Sequence, residues 1–119
     1  MVKKILIIDD DISYLELTKV MLERNSYSVF LAENGKDGIE KAESSLPDLI
    51  FLDIMMPEMS GIEVLQALKS SQKAGHIPVI MLTAKSDSRT MIKTQDLGAA
   101  DYIIKPYDGK ELLEIIKIY

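Results

Sequence analysis

Two hydrophobic patterns alternate along the chain. Continuous apolar runs occur at Ile5-Leu6-Ile7-Ile8, Leu49-Ile50-Phe51-Leu52 and Val79-Ile80-Met81-Leu82. Runs this short, bounded by breakers such as Pro47, Pro57 and Pro78, read as strands covered on both faces. Pro78 is tolerated at a strand start because its missing N–H need not enter the ladder. Tyr27 to Ala32 reads as another strand. Asp101-Tyr102-Ile103-Ile104-Lys105 reads as a more polar, edge-like one, ended by Pro106. Between these runs apolar residues recur at helical spacing. Ile12, Leu15, Leu17, Val20 and Met21 predict a helix over 12–25, with Asp11 as its N-cap. Ile39 and Ala42 predict one over 35–45, broken by Pro47-Asp48. Ile62, Leu65, Ala67 and Leu68 predict one over 61–72, and Leu112, Leu113, Ile115 and Ile116 one over 110–119. Residues 87–97 read as a weakly amphipathic helix with Arg89, Lys93, Thr94 and Gln95 exposed and Gly98 as C-cap.

Five strands alternating with five helices predict an α/β fold, a doubly wound five-stranded parallel sheet with helices on both faces. With 119 residues, the chain is expected to form one domain, residues 1–119. A net charge of −5 argues against this segment holding a nucleic-acid backbone by itself. The absence of cysteine excludes disulfides and thiolate chemistry. No apolar run approaches the roughly 18 residues of a membrane span. The opening run is also too short for a secretory signal, so a cytoplasmic domain without membrane contact is expected. The single histidine, His76, falls in a loop and reads as solvated, and the seven methionines read as packing. The chain reads equally as a small protein or as a domain of a longer one.

The polar residues that end the apolar runs change this picture from architecture to chemistry. Asp9-Asp10, Asp53, Thr83 and Lys105 each follow a different strand, and strand C-termini of a parallel sheet share one edge, where ligands bind. Taken singly, each has an ordinary reading: a helix cap, a turn residue, a solvated lysine. Taken together, three carboxylates on one rim repel each other unless a cation intervenes. Oxygen ligands without His or Cys suit a hard ion such as Mg²⁺. Lys105 adds a point charge and Thr83 a hydroxyl donor. The set makes a pocket for a phosphoryl group, with Asp53 as the attacking carboxylate.

These residues resemble the receiver domain of bacterial two-component response regulators, of the chemotaxis-regulator type. The resemblance spans nearly the whole chain. It is carried by Ile7-Ile8-Asp9-Asp10-Asp11, by Asp48 to Pro57 with Gly61, by Pro78 to Ala84, and by Gly98 to Tyr102 through Lys105-Pro106. It implies a flavodoxin-like strand order, 2-1-3-4-5. It also implies that Asp53 accepts a phosphoryl group from a sensor histidine kinase or a phosphotransfer protein. Asp10, Asp53 and the Met55 backbone carbonyl would hold Mg²⁺, with Asp9 acting through bound water. Lys105 would pair with a phosphoryl oxygen, Thr83 would hydrogen-bond it, and Tyr102 would rotate inward as Thr83 moves. The Lys105-Pro106 bond is expected to be cis, and Met55 and Lys85 to flank the approach of water. The surface formed by residues 87–119 would then control an output domain or protein partner.

The match has one departure. Ala100 and Ile115 stand where a subgroup with DNA-binding output usually carries an acid and an arginine, which puts that subgroup's dimer in doubt. Two other functions stay open: an aspartyl-nucleophile phosphatase or phosphotransferase, and a phosphate-independent adaptor such as a flavin module. Enzymes of the first kind commonly carry a second acid two residues after the nucleophile, and here that residue is Met55. A flavin module wants a phosphate-cradling loop after the first strand, and Asp9-Asp10-Asp11 would repel a phosphate there.

Overall fold

The computed structural model describes residues 2–84 and 88–119. The elements follow the expected alternation: β1 (Lys4–Ile8), α1 (Ile12–Arg24), β2 (Ser28–Ala32), α2 (Gly35–Ser45), β3 (Leu49–Asp53), α3 (Gly61–Ser70), β4 (Val79–Ala84), α4 (Ser88–Asp96), β5 (Asp101–Lys105) and α5 (Gly109–Ile118). The strands form one parallel sheet in the order β2-β1-β3-β4-β5. Asp87, Lys85 and Ser86 lie outside the described residues, so the expected start of the fourth helix at 87 and the role of Lys85 lie there too.

The continuous apolar runs follow from this architecture. Successive side chains of a strand point to opposite faces, and here both faces are covered. Leu6, Ile8, Ile50, Leu52, Val79 and Met81 face Ala42 of α2 and Val64, Leu65 and Leu68 of α3. Ile5, Ile7, Leu49, Phe51, Ile80, Leu82 and Ile103 face Leu15 and Leu22 of α1 and Leu112 and Ile116 of α5. Each fully buried aliphatic side chain contributes roughly 1.5–3 kcal/mol. All five residues of β3 are buried, and β5, which ends the strand order beside β4, is a more polar edge strand.

Local signals set the helix ends. Asp11 accepts from the Tyr14 N–H and caps α1, and Ser60 with Glu63 forms a capping box on α3. Gly98 follows α4 with φ +106, while the Gly98 and Ala99 N–H groups return to the Gln95 and Thr94 carbonyls. This pair of bonds is a Schellman closure, which needs a left-handed residue.

Two helix faces differ from expectation. In α1, Ile12, Leu17 and Val20 are exposed, and the buried stripe is Leu15, Thr18 and Leu22. Thr18 joins it because its hydroxyl donates to the Tyr14 carbonyl at 2.8 Å, which removes the penalty of burying it. In α4 the expectation that Thr94 is exposed is corrected: it is the helix's buried residue, its hydroxyl donating to the Met91 carbonyl at 3.0 Å, while Ile92 is exposed. Internal satisfaction lets a threonine take an inward position that polarity alone assigns to solvent. Smaller shifts are the start of β2 at Ser28 and the end of α3 at Ser70.

Candidate functional site

The C-terminal ends of β1, β3 and β5 open into a cavity of about 540 Å³ lined by Asp9, Asp10, Asp11, Tyr14, Asp53, Met55, Ala84, Lys105 and Pro106. Register places the groups. Ile8 pairs with Leu52, so Asp9 and Asp53 leave neighbouring strands side by side. Ala84 pairs with Lys105, which brings the lysine to the same edge from two strands away. The Lys105 Nζ lies 2.7 Å from Asp9 Oδ2 and 3.2 Å from Asp53 Oδ1. Asp9 Oδ1 accepts from the Asp11 N–H at 3.1 Å, so both Asp9 oxygens are engaged within the protein. Asp10 stays exposed at the rim.

The site is electrostatically unbalanced. Carboxylate oxygens of Asp9, Asp10 and Asp53 lie within 4.8 Å of one another, and the ammonium in contact with two of them leaves an excess of negative charge. Asp53 is only 5% exposed. Burial first, then the charge of Asp9, pushes its carboxyl up to about 6, against the opposing pull of Lys105. Burial works against the Lys105 ammonium, but its hydrogen bond to Asp9 and the charges of Asp53 and Asp9 outweigh this and hold it above the ordinary lysine value. An all-oxygen donor set with surplus negative charge fits a hard divalent cation.

The loop after β3 completes the pocket through a close backbone approach. The Gly61 N–H donates to the Ile54 carbonyl at 2.8 Å. A Cβ at Gly61 would stand 2.2 Å from the Asp53 carbonyl oxygen and 2.6 Å from the Ile54 Cα, so only glycine fits. Met55, in this loop, is exposed at the cavity mouth.

The expected site residues therefore divide into three groups. Asp9, Asp10, Asp53, Met55, Lys105 and Pro106 come together, and the Lys105-Pro106 bond is cis. Thr83 is buried beside the pocket, one residue beyond the partner of Asp53, and its hydroxyl points to the Ala84 carbonyl at 3.4 Å. Tyr102 is 45% exposed and lines a separate recess with Met91, Thr94 and Ala99. His76 is exposed, as expected. The sequence reading missed Tyr14 and Tyr107. Their rings meet edge to face at 5.0 Å, and the Tyr14 hydroxyl donates to the Tyr107 carbonyl at 3.1 Å. The available signal was an aromatic residue in the first turn of the helix that follows the acidic pair.

A buried acid at the centre of a parallel sheet, an ammonium bridging it to a second acid, and a third acid at the rim define the class of phospho-accepting signalling domains. Comparison places the chain within it: residues 5–117 match the response regulator receiver domain, and the chain belongs to that family. Among its relatives are the alkaline phosphatase synthesis transcriptional regulatory protein PhoP of Bacillus subtilis, 41% identical over 97% of this chain and 47% of the relative, and the transcriptional regulatory protein DltR of Streptococcus agalactiae, 42% identical over 97% of this chain and 50% of the relative. The chain thus spans about half the length of the curated relatives it matches. Similar solved structures include the Vibrio cholerae chemotaxis protein CheY4, with TM-score 0.93, 27% identity and coverage of 99% of this chain and 98% of that one. A CheY-like receiver domain protein of Methanospirillum hungatei superposes with TM-score 0.92 at 34% identity, covering 99% and 93%. The chain is a receiver domain of the two-component type, a phosphorylation-dependent signalling switch. Among the described residues no helix is long and apolar enough to cross a membrane.

Proposed function

We propose that residues 1–119 form a switch domain and that Asp53 is its phospho-acceptor. An Asp53 carboxylate oxygen attacks the phosphorus of a phosphohistidine on a sensor kinase or phosphotransfer protein. The new O–P bond forms as the N–P bond breaks, and the imidazole keeps the bonding pair. Lys105 lies within reach of the equatorial oxygens of a phosphoryl group on Asp53 and neutralises part of their charge. Asp10, Asp53 and the Met55 carbonyl would hold Mg²⁺, and Asp9, with both oxygens already engaged, would reach it through water. The bound ion would offset the surplus negative charge of the site.

The single observation that carries this reading is the Lys105 ammonium held between Asp9 and Asp53 at 2.7 and 3.2 Å. Thr83 would turn from the Ala84 carbonyl toward the phosphoryl oxygen, and Tyr102 would follow from its exposed position. The consequence would be a change in the surface formed by residues 87–119, which would act on an output domain or partner protein in the cytoplasm. Self-phosphorylation and self-dephosphorylation would be its only catalysis, because Met55 stands where an outside-substrate phosphatase carries its second acid.

Incubation with acetyl phosphate and Mg²⁺, followed by intact mass measurement, tests this. One labile phosphoryl group should add to the wild type and none to Asp53→Asn. Stoichiometric labelling of Asp53→Asn would overturn the assignment, and sustained phosphate release from excess donor would favour the phosphatase reading.

A further inference from the structure

We propose that Tyr14 is a positioning residue for Lys105, its ring forming the wall that keeps the ammonium inside the pocket. This rests on the assignment of Asp53 and Lys105 above. The Lys105 side chain is 29% exposed and reaches the two acids on a flexible four-carbon stem. Such a stem carries large rotamer freedom. Nothing in its covalent structure selects the inward rotamer over one in solvent. The Tyr14 ring centroid lies 5.9 Å from the ammonium, within the range of a cation–π contact.

The ring is itself held from several sides. Its residue lies in the first turn of α1, where the Tyr14 N–H donates to the Asp11 carboxylate at 3.1 Å. Its hydroxyl donates to the Tyr107 carbonyl at 3.1 Å, and the two rings meet edge to face at 5.0 Å. Tyr107 lies two residues beyond Lys105, so Tyr14 ties the start of α1 to the segment that carries the lysine. Asp11 closes the circuit, since its N–H donates to Asp9, whose other oxygen takes Lys105. A displaced Tyr14 therefore removes a contact that holds the ammonium beside the two acids.

Acetyl phosphate kinetics with Mg²⁺ on the full chain test the inference, with folding of each variant verified by thermal melting. Tyr14→Leu and Tyr14→Met remove the ring while keeping apolar bulk, and Tyr14→Phe keeps it. The two aliphatic variants should lower the limiting rate of Asp53 labelling about three- to tenfold, the scale of a partly desolvated cation–π contact, with little change in the donor concentration at half rate. Tyr14→Phe should stay within about twofold of wild type. Unchanged rates in a folded aliphatic variant would overturn the inference, as would an equal loss in Tyr14→Phe, which would assign the effect to the hydroxyl. In a Lys105→Met background, Tyr14→Leu should produce no further loss, because its target is gone; an undiminished loss there also refutes the idea. Failure of the wild type to label would instead refute the Asp53 reading.

Discussion

Asp53→Asn should stabilise the domain at neutral pH while abolishing its labelling. The carboxyl of Asp53 is raised from 3.8 to about 6 in the folded protein, burial being the largest cause and Asp9 the next. Between these values the folded state binds more protons than the unfolded chain, so stability falls as pH rises through the window. At about 1.4 kcal/mol per pH unit the full effect above pH 6 is up to about 3 kcal/mol. Asparagine copies the shape of the neutral acid and does not ionise, so the variant escapes this loss. For a domain of this size the difference corresponds to a melting temperature higher by roughly 10 °C at pH 7.5, closing toward zero near pH 4. The assay is urea or thermal unfolding of both proteins across pH 4–8, with chelator present so that no divalent cation neutralises the carboxylate. A variant less stable than wild type at pH 7.5, or a stability gap that does not change with pH, would refute the electrostatic reasoning.

Further outcomes follow from other parts of the site. Mg²⁺ at ten times its Kd should stabilise the wild type by about 1.4 kcal/mol, and Asp10→Asn should remove most of that gain in the same melting assay. Gly61→Ala places a methyl against the Asp53 and Ile54 backbone; it should destabilise by about 1–3 kcal/mol and slow labelling, measured by urea unfolding and mass spectrometry. Tyr102→Ala in the unphosphorylated protein should change stability by less than about 0.5 kcal/mol, since the ring is exposed. Ile103→Ala, its buried neighbour, should lose about 2–5 kcal/mol.

Sequence alone determined the sheet and the acidic rim. Strands buried on both faces have to be apolar throughout, so Ile5 to Ile8, Leu49 to Leu52 and Val79 to Leu82 were legible as core, and the charges that ended them were legible as an edge. Proline, glycine and the capping residues marked the breaks because they restrict backbone angles locally. Helix faces were less legible. Ile12, Leu17 and Val20 fit a helical period but lie outward, while Thr18 and Thr94 lie inward with hydroxyls satisfied by their own helices. Which side of a helix meets the sheet depends on docking, and docking sums many contacts between distant segments.

Tertiary structure alone decided how the polar groups share the pocket. Lys105 and Asp9 are 96 residues apart in the chain, and their 2.7 Å contact exists only because β5 and β1 lie in one sheet on either side of β3 and β4. The same packing set the raised carboxyl of Asp53, which measures burial and neighbouring charge together. It also brought Tyr14 against the lysine's segment, a pairing across 93 residues that no local pattern encodes. Local propensity acts over a few residues, whereas electrostatic and aromatic contacts act through space, so the folded chain sets the second kind.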